Sequence, residues 1–394
     1  MMNIPSTDRT DKSAPFPWVP LDQLRLRTSE KWRTFPPDVL PLFVAEMDVA
    51  LAEPVVRAIT EAATLGDTGY PAGTAYSEAL REFAKRRWNW DGVIVSATAM
   101  VPDVMLGVVE TLRLVTDPGD AVIVNCPVYP PFYHFVEHMN RRIQEAPLGQ
   151  DYRIDLTVLA DAFRKAVAGG RRAAYLLCSP HNPTGTVHSA NELASVAALA
   201  ERYAVRVVVD EIHAPIVASG TVFVPYLSVA GAEAGISIIS ASKAWNLAGL
   251  KAAVAVAGPA AADDLARIPP LVQEGPSHVG VIAHTAALRY GDGWLDGVLA
   301  AIDDNRRLLA TLLDQHLPAV RYEPSEATYV AWLDCCALGL GDDPAATFLE
   351  RGRVALSAGL DFGTGGAGHA RLNLATSPQV LTEAVERMAA ALIT

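Results

Sequence analysis

The chain has 394 residues, 51% of them hydrophobic, and a formal net charge of −12. Phosphate backbones and anionic lipid surfaces are bound by clustered Lys and Arg, so this balance argues against a nucleic-acid partner and against a membrane surface. No apolar run approaches the roughly 20 residues of a membrane span, and the first forty residues show neither a compact apolar stretch nor a small-residue cleavage site. The expected location is therefore the cytoplasm.

Two compositional details bear on chemistry. Four cysteines in so long a chain (Cys126, Cys178, Cys335 and Cys336) do not make a disulfide framework, and all four read as buried, reduced bystanders. There are only six lysines, at 12, 31, 85, 165, 243 and 251. In an Arg-biased chain, lysine is expected to persist where a guanidinium fails, as in forming an imine. Four of the six are read as ordinary exposed lysines, leaving Lys243 and Lys251 as the chemically interesting pair.

Taken in chain order, residues 1–45 are polar and Pro-rich and read as an arm that joins a small domain. Short apolar runs rich in β-branched residues then recur at Ala121–Val124, Ala173–Cys178, Val205–Val209, Ile236–Ile239 and Ala253–Ala257. Helical patterns separate several of them. Ser189 with Glu192 forms a capping box, followed by Leu193, Val196, Ala197 and Ala200 on one helix face. Strand, helix and strand within about forty residues predict βαβ units and a mostly parallel sheet buried on both faces. Residues 46–280 are thus expected to form a large α/β domain. A long helix (Leu295–Leu313) and strands at Thr328–Leu333 and Ala370–Ala375 predict a smaller C-terminal α/β domain over 281–394.

Ligands of parallel α/β sheets bind beyond the carboxyl ends of the strands. The segments that follow the predicted strands are NCPVYPPFY with Tyr129, SPHNPTG with Asn182, DEIH with Asp210 and His213, and SASK with Ser240, Ser242 and Lys243. An aromatic plane, an amide, a carboxylate, hydroxyls and a lysine together suit a flat cationic heteroaromatic aldehyde that carries a phosphate, which describes pyridoxal 5′-phosphate. Lys243 would condense with the aldehyde, and Asp210 would hold the ring nitrogen protonated so that the ring accepts electrons. Asn182 and His213 would face the ring oxygen, and Tyr129 would stack on the ring. Ser240, Ser242 and Lys251 would bind the phosphate, aided by a helix N-terminus at Val104 and Met105. Arg371, in RLNLAT, offers a fork for a substrate carboxylate. Singly, each residue has an ordinary structural reading as a turn, cap, packing aromatic or exposed lysine. Their joint placement at equivalent strand ends carries the chemical reading.

LPLFVAEMD, NCPVYPPFY, SPHNPTG, VVDEIHAPIV, SASKAWNLAGLK and GHARLNLATS resemble the fold type I pyridoxal-phosphate enzymes, within them the aminotransferase class I/II superfamily and its cystathionine β-lyase-like C–S lyases. The resemblance runs from about Leu40 to the C-terminus. It implies cleavage of an L-cysteine S-conjugate to a thiol, pyruvate and ammonia. It also implies a homodimer with shared active sites, in which Tyr70 of GYPAG reaches the neighbouring subunit's cofactor phosphate and contributes to the substrate site. Two departures stand out: Asp103-Val104 where many relatives have Gly-Val, and Phe43 and Val49 where relatives often have Trp and Phe. Val49 is accordingly expected to widen the substrate site for a bulkier conjugate.

Other readings use the same residues. An aminotransferase or a Cα decarboxylase differs only in which bond breaks, and a non-catalytic binding protein would retain the cofactor without turnover. His134, Glu137 and His138 spell the HxxEH of inverted zinc peptidases but lack a third ligand. Gly363–Gly368 fits GxGxxG, but a strand pattern follows where a helix would be needed. No metal site is expected.

Overall fold

A computed structural model of the chain describes residues 16–393. The first fifteen residues of the expected arm lie outside the described residues.

The predicted apolar runs pair into a seven-stranded sheet. Its strands are β1 (Thr98–Val101), β2 (Ala121–Val124), β3 (Arg142–Glu145), β4 (Ala173–Cys178), β5 (Arg206–Asp210), β6 (Ile236–Ile239) and β7 (Ala253–Ala257), in the spatial order β1-β7-β6-β5-β4-β2-β3. Only β7 runs against the rest. Every residue of β2, β4, β6 and β7 is buried, as uninterrupted β-branched runs require when helices cover both faces. Helix α1 (Val104–Val115) packs on β5, β6 and β7, while α2 (Ala190–Tyr203) packs against β5. The capping box at Ser189 and Glu192 is formed, and Leu193, Val196, Ala197 and Ala200 are the buried face of α2. Because β2, β4, β5 and β6 are parallel, their carboxyl ends deliver four loops to one rim of the sheet.

The C-terminal part holds an antiparallel sheet of β8 (Val330–Asp334), β9 (Ser357–Ala358) and β10 (His369–Asn373), in the order β9-β10-β8. Two expected strands start or end differently. Thr328 has φ of +68°, outside the extended region, so β8 begins two residues later than predicted. Beyond Asn373 the chain leaves the ladder, and the carbonyls of Leu374 and Thr376 accept from the buried amide of Asn305 at 2.8 and 2.7 Å.

The apolar clusters divide elsewhere than at residue 281. Helix α3 (His278–Tyr290) and the first half of α4 (Asp292–His316) pack into the large-domain core through Val281, Ala287, Leu295, Val298 and Ile302. The second half of α4, through Leu309, Leu312 and Leu313, belongs to the small-domain core with Leu40 and Leu42. One 25-residue helix, about 37 Å long at 1.5 Å per residue, thus serves both cores. The described part of the arm returns to the small domain, where Leu40–Pro41 pairs in parallel with Val354–Ala355.

Lys31 corrects the reading of the lysines. Lys85 and Lys165 have exposed side chains, and Lys12 lies outside the described residues, but Lys31 is only 1% exposed and donates to Asp48 at 2.8 Å and to the Glu46 carbonyl at 3.2 Å. A cation amid apolar neighbours persists when a carboxylate pairs with it. Cys336 is likewise exposed, whereas Cys126, Cys178 and Cys335 are buried. Among the described residues no helix is long and apolar enough to cross a membrane.

Removing one partner of a buried pair strands the other charge. Lys31→Met is therefore expected to lower unfolding free energy by about 3–5 kcal/mol in urea titrations. The double variant Lys31→Met, Asp48→Leu should recover most of that loss; if the two single losses simply add, the pairing is not their cause.

Candidate active site

The strand-end loops surround a cavity of 1040 Å³, lined also by residues 26–30 of the arm, the 43–46 segment and Ser357 of the small domain. Among the expected site residues, Tyr129, Asn182, Asp210, His213, Ser242, Lys243, Lys251, Val104, Met105 and Arg371 all line it.

Lys243 follows β6 in a tight turn, and its Nζ donates to the Ala45 carbonyl at 3.0 Å. Burial pushes this amine down to about 8, and the nearby Arg371 guanidinium pushes the same way. Asp210 ends β5, and its carboxylate accepts the Ile212 amide at 3.0 Å. Burial pushes its carboxyl up to about 6, only partly offset by that amide and by Lys243. An acid so placed has one ordinary remedy, a cationic partner in contact with it. His213 is 3% exposed, lies edge-on to Tyr329 with ring centroids 6.3 Å apart, and has an Nδ1 without a partner in the protein. Burial pushes it down to about 3, so it is a neutral ring at working pH.

Arg371 enters from β10. Its guanidinium donates to Asn182 Oδ1 at 3.1 Å, to the Phe43 carbonyl at 2.9 Å and to Ser357 Oγ at 3.1 Å, and lies 5.1 Å over the Phe362 ring. None of these partners is an anion, and Nε has no partner. A buried guanidinium held only by neutral acceptors is poised for a carboxylate. Ser357 in turn donates to the Phe43 carbonyl at 2.7 Å. Ser357 and Glu46 were not expected from sequence: a serine in a two-residue strand gives no pattern, and only the three-dimensional closure of the small domain brings it here. Asn246 was missed too. At φ of +58° it clamps Met47 through both its amide atoms, accepting at 2.8 Å and donating at 3.0 Å, which fixes the 43–46 segment beside Lys243.

At the far end, Lys251 pairs with Asp103 at 2.9 Å, while the other Asp103 oxygen caps α1 by accepting the Leu106 amide at 2.8 Å. The first amides of α1, at Val104 and Met105, have no partners within the helix. A basic side chain, hydroxyl Ser242 and a helix N-terminus at one end of the cavity form an anion site. Asp103 is the cap that orders the helix and a competitor for Lys251. Taken with the amine, the isolated acid Asp210 and the aromatic Tyr129, the donor set fits a phosphorylated pyridine aldehyde.

Three expected residues stand apart. Ser240 is not at the cavity: its hydroxyl donates to the Ala252 carbonyl at 2.7 Å and accepts the Ser242 amide at 3.1 Å, so it shapes the turn that presents Lys243. Val49 does not widen the cavity either. It is 1% exposed in the large-domain core, bridged to Trp18, with its carbonyl accepting from Arg27 at 2.6 Å. A larger side chain there would overpack the core. Tyr70 is 83% exposed, away from the cavity of its own chain. His134, Glu137 and His138 lie on the exposed face of the short helix Pro131–His138 and form no metal-ligating cluster among the described residues.

The reactivity of Lys243 should report this environment. Its neutral amine is expected to react with a small aldehyde, trapped by reduction and located by peptide mapping, with a midpoint near pH 8. Arg371→Gln should move that midpoint upward, because a nearby cation is lost; a downward shift or none would contradict the electrostatic account.

The sequence pattern of the family described as aminotransferase class I and II matches residues 37–388. A Mycobacterium leprae relative, provisionally named a cystathionine beta-lyase, is 55% identical over 97% of this chain and 99% of its own. The cystathionine beta-lyase of Corynebacterium glutamicum is 34% identical over 94% of this chain and 99% of its own. The crystal structure of a Corynebacterium diphtheriae protein, provisionally described as a PLP-dependent beta-cystathionase, superposes with a TM-score of 0.90 at 35% identity, covering 96% of this chain and 99% of that one. With Lys243, Asp210 and Arg371 around one cavity and a match over most of its length, the chain belongs to the aminotransferase class I and II family.

Proposed function

We propose that the chain is a pyridoxal 5′-phosphate-dependent C–S lyase, cleaving an L-cysteine S-conjugate or a cystathionine-like amino acid to a thiol, pyruvate and ammonia. The observation that carries this reading is a half-buried amine, Lys243, lining one cavity with a carboxylate-seeking guanidinium, Arg371, and a buried acid with no ion-pair partner among the described residues, Asp210. The cystathionine beta-lyase and beta-cystathionase names of the relatives support the bond that breaks.

When bound, the cofactor would supply an electron sink that weakens bonds at the substrate Cα. Lys243, Asp210, Asn182, His213 and Tyr129 would hold its ring, and Ser242, Lys251 and the amides of Val104 and Met105 its phosphate. The protein's own part is positional and acid–base. Arg371 binds the substrate carboxylate, which fixes the Cα substituents relative to Lys243. The Nζ of Lys243, lowered by burial and by Arg371, takes and holds the Cα proton near neutral pH. Asp210 would hold a negative charge for the cofactor's ring nitrogen. Asn182 accepts from Arg371 through Oδ1, which leaves its Nδ2 to donate into the cavity.

The enzyme would act in the cytoplasm, consistent with four free thiols, and as a homodimer. Exposed Tyr70 would complete the phosphate site of the second copy.

Lys243→Ala is expected to lose turnover and the cofactor's visible absorption band together. Pyruvate should appear in the parent without any added keto acid; dependence on a keto-acid acceptor would instead make the chain an aminotransferase. Arg371→Leu should cost about 2–5 kcal/mol in transition-state binding, roughly 30- to 5000-fold in kcat/KM. Mixing Tyr70→Phe with Lys243→Ala subunits should restore one intact site per hybrid dimer. Hybrids no more active than the parents would rule out sharing.

A further inference from the structure

A second group of ligating side chains lies away from the cavity. Asp334, Cys336 and His369 each offer one donor atom, and these atoms lie within 4.8 Å of one another. Asp334 ends β8 and His369 begins β10, and the two are direct cross-strand partners, so the antiparallel register itself puts both side chains on one face. The Asp334 carboxylate accepts the Cys336 amide at 3.0 Å, folding the following turn back over the strand end. At Gly368, whose φ is +74°, a Cβ would come within 2.5 Å of Cys336 Sγ. Any other residue there would displace the thiol.

The His369 ring is held along one edge and one face. Its Nδ1 lies 2.9 Å from the Ala367 carbonyl, which can only accept, so Nδ1 carries the proton and Nε2 keeps its lone pair. A backbone carbonyl on the second ring nitrogen is the usual support of a ligating imidazole. Trp332 stacks on the ring at 5.1 Å and 12° and holds its plane. Cys336 is the exposed cysteine of the four and has no disulfide partner.

We propose that Asp334, Cys336 and His369 form a zinc site at the open end of the small-domain sheet. An oxygen, a sulfur and a nitrogen donor match the ligand preferences of this borderline ion, and water would fill the fourth position. Bonds of 2.0–2.3 Å in tetrahedral geometry put donors roughly 3.3–3.8 Å apart, so closure by about 1 Å is needed. Rotation of the exposed Cys336 side chain can supply it. Binding releases the thiol proton to solvent and leaves a thiolate on the metal. The sulfur and nitrogen donors select zinc over the oxygen-seeking Mg2+ and Ca2+.

The test uses the cofactor-loaded protein, stripped of metal by a chelator and dialysed. Zinc is titrated against a chromophoric chelator while iodoacetamide labelling of Cys336 is followed by peptide mass spectrometry. One zinc per chain is expected, with Cys336 labelling slowed about tenfold or more by zinc and unchanged by Mg2+. Cys336→Ser and His369→Gln should each weaken zinc by at least roughly tenfold, and Cys336→Ser should leave lyase turnover unchanged. Unslowed labelling at saturating zinc would overturn the proposal. So would a double variant that binds zinc as tightly as the parent.

Discussion

The structure depends on holding one half-buried lysine amine in the same cavity as a buried guanidinium. Lys243 and Arg371 share a cavity in which the guanidinium contacts only neutral acceptors and the amine donates to a backbone carbonyl. Charge repulsion and desolvation act in the same direction on the amine, so its proton is held loosely near neutrality. That arrangement is costly for the bare protein, and much of the surrounding fold keeps it in place. Ser240 shapes the turn that carries Lys243, Asn246 pins the 43–46 segment against it, and the Lys31–Asp48 pair anchors the arm behind that segment.

The cavity is assembled from pieces distant in sequence. Four loops come from the carboxyl ends of parallel strands, one guanidinium from the antiparallel small-domain sheet, and one wall from the arm. The sheet supplies a rigid rim, while Arg371 comes from the smaller sheet. Under the proposed function, a substrate carboxylate on Arg371 would tie the two sheets together at the cavity.

Much of this was legible in the residues alone, and the reasons are physical. Strands buried on both faces leave long β-branched runs, so Ala121–Val124, Ala173–Cys178, Ile236–Ile239 and Ala253–Ala257 could be read to the residue. Asp210 and Lys243 were placed by the same reasoning, although the run expected at Val205–Val209 is shifted by one residue to Arg206–Asp210 and so takes in Asp210, and Lys243 lies four residues past Ile239. Side-chain direction was harder to read. Ser240 and Ser242 differ by two positions, yet the first turns into the backbone and the second faces the cavity. Val49 follows the lining segment closely but points beneath the arm, since only the bridge to Trp18 decides its face. Lys31 gave no sign of burial because its partner, Asp48, is met only in three dimensions. Nothing local marked the Asp334, Cys336 and His369 group, since strand pairing alone brings His369 to the other two.

Helix α4 has a consequence for how the two halves of the molecule can move. Its N-terminal turns are embedded in one core and its C-terminal turns in the other, so the halves are joined by a continuous helix. Relative motion must then take the form of bending or pivoting about the middle of that helix, near Asn305, which grips the chain just beyond Arg371. Excising either half as a free-standing unit would cut through continuous helix or strip it of half its packing. The molecule behaves as two lobes by shape and as one body by covalent mechanics.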